Sequence, residues 1–415
     1  MPMTMSEKVL SKKAGRRVYP GEHIVADVDL VYAHDGTAPL TIEMIEELGL
    51  RELRSRAIFT IDHASPPPNV DAAANHRRMR DFASRWGVRI FDVGEGICHQ
   101  VIPERGIVKP WDLVIGADSH TVTLGALGAF ATGVGSTDAA IAMLTGKIWL
   151  KVPESIAVKV DGTLKNHVTA KDVILEVIGK LGSDGANYKA VEFLGSAVEA
   201  MSLDSKMVLA NMSVEMGAKV AMIPTDGRTS EWLKERVGHF EGIWPDEEAN
   251  YSAFYEFPAE EIKPNVSLPN SVDRVAPVEE VEGEEVDLVF IGSCSGGRFE
   301  DFLLASRIMR GRKLKEGVRC IAIPASREVQ MKLIDSGLMR SLLEFGCTVG
   351  PPTCGPCIGA HMGLAGPGET VVSTSTRNFP GRMGSPDSRV YLASPLTAAA
   401  SAAEGKLTDP GRFLS

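Results

Sequence analysis

The 415 residues exceed the ~250 to 300 at which a single hydrophobic core stops growing, so more than one domain is expected, and 44% hydrophobic with 24% charged residues excludes a disordered or coiled-coil chain. A formal net charge of -10 argues against a protein that coats nucleic acid, because neutralising phosphates takes a basic face. Residues 1–17 lack the apolar core of a secretory signal, and the most apolar run, 122–134, is too short to cross a bilayer, so a cytoplasmic protein without membrane contact is expected.

Short β-rich runs alternate with amphipathic helical segments almost throughout, which predicts an α/β fold with largely parallel sheets. No period of 20 to 50 residues is present, so a solenoid is not expected. Apolar spacing predicts a helix over 41–56, then a strand over 57–61 that stops at Asp62-His63. A helix over 75–86 and a strand over 88–93 lead to a polar loop, Gly94 to Gln100, that carries Cys98 and His99. A strand over 113–116 runs into Asp118-Ser119-His120, and a helix over 136–150 follows with Ser136 or Thr137 as its cap. Three strand ends thus carry Asp-His, His-Gln and Asp-Ser-His, where ligands of open α/β sheets bind.

A first unit is expected over 1–151 and a second over 152–282. The second holds a strand over 155–160, a helix over 170–181 and a helix-to-strand passage over 205–223, in which Asn211 and Glu215 would share a helix face. The Pro- and Glu-rich stretch 257–285 reads as a surface linker. A third unit, 283–415, opens with a strand over 286–291 that stops at Gly292-Ser293-Cys294-Ser295-Gly296-Gly297-Arg298. Helices over 299–310, 327–337 and 396–406 and strands over 320–323, 370–373 and 389–393 complete it.

Six cysteines are too sparse for a disulfide framework and point to buried, catalytic or metal-binding roles. Cys354-Gly355-Pro356-Cys357 alone could be a redox dithiol, half of a zinc site or two ligands of an iron-sulfur cluster. A structural zinc site needs a second hook that is missing here, and a thioredoxin-like pair belongs early in a chain. With Cys294 there are three thiolates from two loops, a set that suits a cluster with one iron open to substrate. His34, His63, His99 and His120 could titrate near neutrality beside Asp62 and Asp118, as general acid-base work requires. Arg377 and Arg382 suit bidentate capture of carboxylates.

These residues resemble the aconitase family, through Asp62-His63, Cys98-His99-Gln100, Gly116-Ala117-Asp118-Ser119-His120, the run 133–138, Asn211 to Glu215, Gly292-Ser293-Cys294, Cys354-Gly355-Pro356-Cys357 and the run 377–382, in order along nearly the whole chain. The resemblance implies an aconitase-like fold, three α/β domains around one 4Fe-4S cluster held by Cys294, Cys354 and Cys357. It implies a hydro-lyase that isomerises a hydroxy dicarboxylate by dehydration and rehydration, with 3-isopropylmalate, and so leucine biosynthesis, expected first. Homoaconitate, dimethylmalate and citraconate or maleate stand behind it, and a non-catalytic iron-sulfur protein that binds RNA or a zinc-bearing structural subunit are the readings from other classes. By the same likeness His63 with Asp62 would protonate the departing hydroxyl, and His99, Asp118, His120 and Glu215 would orient water. His34, Ser119, Arg377 and Arg382 would bind substrate. By the same resemblance the fourth, swivelling domain with its catalytic Ser is not expected in this chain, and a small partner subunit is expected to supply both. Two departures stand out: Ser295-Gly296-Gly297 replaces Thr-Asn-Ser or Thr-Asn-Gly after the first cysteine, and Thr376 replaces Asn before the first arginine.

Overall fold

The computed structural model of the protein describes residues 2–50 and 52–414. Residues 1 and 415, at the ends of the first and third expected units, and residue 51, inside the helix expected over 41–56, lie outside the described residues.

Five parallel strands form the first sheet, in the order Arg89–Phe91, Arg56–Thr60, Leu30–His34, Leu113–Gly116, Phe130–Gly133. Every residue of the central strand Leu30–His34 is buried, as a strand covered on both faces must be, and its sequence runs apolar instead of alternating. From that strand the chain fills one edge of the sheet and then returns to fill the other. The crevice beyond His34 and Gly116 is therefore a topological switch point, open at the carboxyl ends of the strands.

A second sheet has four parallel strands, Val220–Met222, Ala190–Leu194, Ser155–Asp161 and Ala253–Pro258. The third places Arg389–Leu392, Thr370–Ser373, Leu288–Ile291, Arg319–Ala322 and Thr348–Val349 in parallel and adds Asn265–Ser267 and Val275–Pro277 antiparallel at one edge. No helix among the described residues is long and apolar enough to cross a membrane.

Several expected boundaries move, each for a local reason. The helix expected over 41–56 is Ala38–Leu48, begun by a proline in its first turn and stopped by Gly49 at φ 68. The one expected over 136–150 ends at Thr145, because Gly146 turns left-handed and Lys147–Lys151 then alternates exposed and buried residues as a strand. Its N-cap is Gly135, and neither Ser136 nor Thr137 caps it. The loop expected through Gln100 is partly helical, Cys98–Glu104. Asn211 and Glu215 do not share one helix, since Leu203–Met212 ends between them and Ser213–Met216 is a separate 3-10 turn. The 257–285 stretch is no free linker: Asn265–Ser267 and Val275–Pro277 pair with each other, and the first also pairs with Arg389–Leu392.

Glu192 ties the N-terminal helix Met5–Ala14 to the second sheet. Fully buried, it accepts from Ser6 N–H at 3.2 Å and from Tyr251 O–H at 2.7 Å, and burial pushes its carboxyl up from 4.5 to about 7. Between pH 4.5 and 7 the native carboxyl keeps a proton that the unfolded chain has lost, so its contribution to stability falls as pH rises through that window. Thermal unfolding of the wild type and of Glu192→Gln across that range should show a stability decline larger in the wild type by roughly 3 kcal/mol, beyond the decline that Asp172 and Asp301 contribute to both.

Candidate active site

Strand ends supply the first half of the site. Asp118, directly after the Leu113–Gly116 strand and Ala117, directs Oδ2 toward three imidazoles: His99 Nε2 at 3.3 Å, His34 Nε2 at 3.5 Å and His63 Nε2 at 3.6 Å. Its other oxygen accepts the His120 backbone N–H at 2.7 Å and caps the 3-10 helix Ser119–Leu127. The His34 and His63 rings stack with centroids 3.7 Å apart. Burial pushes His34 down to about 4, so that ring is neutral at pH 7. For His63 burial acts the same way, but Cys354 and Asp62 outweigh it and raise the ring well above its ordinary value. One stacked ring thus lacks the proton that its neighbour holds.

Asp62 fixes how His63 presents that proton. Its Oδ1 lies 2.9 Å from His63 Nδ1, which must be the donor because a carboxylate only accepts, and this leaves Nε2 facing the crevice. The second oxygen accepts Cys98 N–H at 2.6 Å. Behind both sits Asp35, whose carboxylate accepts three successive backbone N–H groups, Asp62 at 3.1 Å, His63 at 2.8 Å and Ala64 at 2.7 Å, with His76 Nε2 at 3.2 Å. Burial raises the Asp35 carboxyl, but the His76 hydrogen bond and the His63 ring more than offset this and hold it well below the usual range.

On the opposite side Glu215 accepts from His120 Nε2 at 3.0 Å and from Arg377 Nε at 2.8 and 3.0 Å, while Arg377 Nη2 donates to Ser119 Oγ at 3.1 Å. Burial raises the Glu215 carboxyl, and His120 and Arg377 together bring it below its ordinary value. Arg382 is not part of this network. Its Nε is buried without a partner, and its backbone carbonyl abuts Gly359, just past the second half of the cysteine turn.

The cysteines close the third side. Cys294 follows Leu288–Ile291 after a left-handed Ser293 at φ 69, and its Sγ accepts from Asn211 Nδ2 at 3.1 Å. Cys354 is the N-cap of a single 3-10 turn, Gly355–Ile358, and Cys357 lies within it; the turn is joined to the acid-base loop where Asp62 O accepts Cys354 N–H at 2.9 Å and the Thr353 hydroxyl at 2.7 Å. All three are buried free thiols. Burial pushes Cys294 up to about 12 with Cys357 adding to it, so ionising this sulfur requires a cation beside it. Three buried thiols brought from two loops to one side of the crevice are the donor set that an iron-sulfur cluster takes, and these residues fit one. Groups capable of holding a single ion occur in the histidine half, His34-Asp35-Asp62-His63 and Cys98-His99-Asp118.

The departures near Cys294 have a packing counterpart. A Cβ on Gly296 would meet Thr374 Oγ1 at 2.2 Å, and that hydroxyl accepts Gly292 N–H at 2.9 Å. Ser295 Oγ donates to Thr374 O at 2.8 Å. Nothing in the structure explains Thr376, whose hydroxyl is buried without a partner.

Side chains from eight separate stretches of the sequence, 34–35, 62–63, 98–99, 118–120, 211–215, 294, 354–357 and 377, meet here as one constellation. Residues 7–405 match the Aconitase family (aconitate hydratase). The chain belongs to the aconitase family. It is 48% identical to the 3-isopropylmalate dehydratase large subunit 1 of Methanopyrus kandleri over 100% of both chains, and 48% identical to the same-named subunit of Thermotoga maritima, again over 100% of both. It is also 45% identical to a probable methanogen homoaconitase large subunit of Methanothermobacter thermautotrophicus, covering 98% of this chain and 97% of that one. Among solved structures, holo aconitase X of Thermococcus kodakaraensis shares the fold with a TM-score of 0.52 at 12% identity, over 91% of this chain and 94% of that one.

The sequence reading passed over four groups that this aconitase-family site uses. Asp35, Tyr32, Lys171 and His76 lie buried beside it. Asp35 follows His34 at a strand end and carried the same positional signal as Asp62. Tyr32, whose hydroxyl lies 3.1 Å from His99 Nδ1 and 2.8 Å from Thr121 Oγ1, sits inside an apolar strand and carried none. Replacing Asp35 by Ala should leave three buried N–H groups unpaired and lower stability by at least ~3 kcal/mol in chemical denaturation, with Asp35→Asn losing less.

Proposed function

We propose that this chain is the large, cluster-bearing subunit of a hydro-lyase that interconverts 3-isopropylmalate and 2-isopropylmalate by dehydration and rehydration. The observation that carries this is the meeting of a protonated, Asp62-anchored His63 with three buried thiols and a Glu215-Arg377 pair across one crevice. Relatives named as 3-isopropylmalate dehydratase large subunits over the full length support the substrate.

Cys294, Cys354 and Cys357 would hold one 4Fe-4S cluster, which supplies Lewis-acid chemistry toward a substrate hydroxyl and carboxylate when bound. His63 Nε2, its ring oriented through Nδ1 by Asp62, gives its proton to the departing hydroxyl. Asp118, His99 and His120, with Glu215 fixing His120, orient the water that leaves and returns. Ser119, Arg377 and Arg382 bind the substrate carboxylates, and neutral His34 offers a hydrogen bond without adding charge beside His63. The base that removes the carbon-bound proton comes from a small partner subunit, as a Ser on a swivelling domain. The large-subunit names of the relatives support such a partner. We assign the protein to the cytoplasm and divide it at residues 151/152 and 282/283.

Homoaconitate is the second reading, favoured by the 45% identical homoaconitase relative. The test is anaerobic reconstitution with iron and sulfide, addition of the small subunit, and turnover of 3-isopropylmalate, homoaconitate, dimethylmalate and citraconate. A brown protein that turns over 3-isopropylmalate fastest is the expected result; faster homoaconitate turnover favours the second reading, and a colourless protein holding stoichiometric zinc contradicts both. In the same assay His63→Ala should lose about 10²- to 10⁴-fold in kcat. Cys354→Ser should lose the visible absorption together with activity.

A further inference from the structure

Lys171 is the second residue of the helix Ala170–Leu181, and it is only 2% exposed. Its ammonium donates to Ser375 O at 2.7 Å, Thr374 O at 3.0 Å, Ser295 Oγ at 3.1 Å and Met212 Sδ at 3.2 Å. None of these partners is charged. The other fully buried lysine, Lys206, differs in this respect, for its Nζ pairs with Asp226. Lys171 also stands in the first turn of its helix, where the backbone dipole disfavours a cation. A buried charge whose hydrogen-bond partners are all neutral is costly, and a helix N-terminus adds to that cost.

The position of the ammonium indicates what offsets it. Ser295 directly follows Cys294, and Thr374 and Ser375 lie on the loop that leads to Arg377. Burial depresses the amine to about 8, and Cys294 is the largest influence opposing this, followed by Asp301, Cys357 and Asp172. The electrostatic partners of Lys171 thus include two of the three sulfurs of the proposed cluster site beside two carboxylates, and Ser295, which its ammonium contacts, adjoins the first of those sulfurs.

We propose that Lys171 is an internal counter-charge of the cluster site, a charge-balancing residue that stabilises the anionic thiolate-held cluster and favours its reduced form. This rests on the reading of Cys294, Cys354 and Cys357 as cluster ligands. It also gives Ser295 a role, as the hydroxyl that relays the ammonium to the Cys294 loop.

The test uses the full chain, reconstituted anaerobically as wild type, Lys171→Met, Lys171→Gln and Lys171→Arg. The midpoint potential of the cluster is followed by electron paramagnetic resonance, and iron release is timed against a chelator. Met and Gln should shift the potential to more negative values, by about tenfold in the oxidised-to-reduced ratio, or ~59 mV for a one-electron couple, and should speed iron release. Arg should restore both. Should Met fail to fold, the Gln and Arg pair decides alone, since both keep donors and only one keeps the charge. If the potential is unchanged in folded Met or Gln protein, with only thermal stability lowered, Lys171 merely ties two loops together and the proposal is overturned. A wild type that takes up no iron overturns the cluster reading itself, a different result from a loaded wild type that the variants match.

Discussion

One backbone hydrogen bond, from Cys354 N–H to Asp62 O at 2.9 Å, holds the two halves of the site in register. Asp62 lies two residues past the strand Arg56–Thr60 of the first sheet, and Cys354 opens a turn that follows Thr348–Val349 of the third. The same residue therefore orients the His63 ring through its side chain and anchors the cysteine turn through its carbonyl. Any shift of the third sheet would move the thiols relative to the acid. Asp35 reinforces this from behind by binding the backbone of residues 62–64, so the loop is held at its N–H groups and at its carbonyl.

Charge is organised in layers around that joint. Carboxylates of Asp62, Asp118 and Glu215 each face an imidazole or a guanidinium, so every acid in the crevice has a cationic or hydrogen-bonding neighbour. This arrangement sets neighbouring groups to opposite protonation states, most clearly in the stacked pair of His34 and His63. Of the buried thiols, Cys354 lies beside the His63 ring, whereas Cys294 accepts from the neutral amide of Asn211. Lys171 faces them from the second sheet side, and Arg298, fully buried four residues after Cys294, binds Gln100 through Nε while both terminal nitrogens have no partner.

How far the sequence could be read depended on the kind of signal. Strand ends with Asp-His or Asp-Ser-His were legible because a parallel sheet puts its polar residues where strands stop, and the helix Ala170–Leu181 was legible because Thr169 and Asp172 cap a clear apolar stripe. Glycine stops were underweighted. Gly49 and Gly146 each end a helix that apolar periodicity alone would prolong. Long-range pairing was invisible, which is why 265–277 passed for linker although it borders the third sheet. Lys171 was missed for a related reason: three of its four partners lie more than a hundred residues away, and on the helix it reads as an ordinary surface lysine.

The claim on which the rest turns is that three thiolates hold a cluster and leave one iron free for substrate. Mössbauer spectroscopy of the chain loaded with isotopically enriched iron, with and without 3-isopropylmalate, tests it directly. The account predicts that about one quarter of the iron signal shifts when substrate is added, and that the rest stays as it was. Iron sites that are all equivalent and all unaffected by substrate would contradict it.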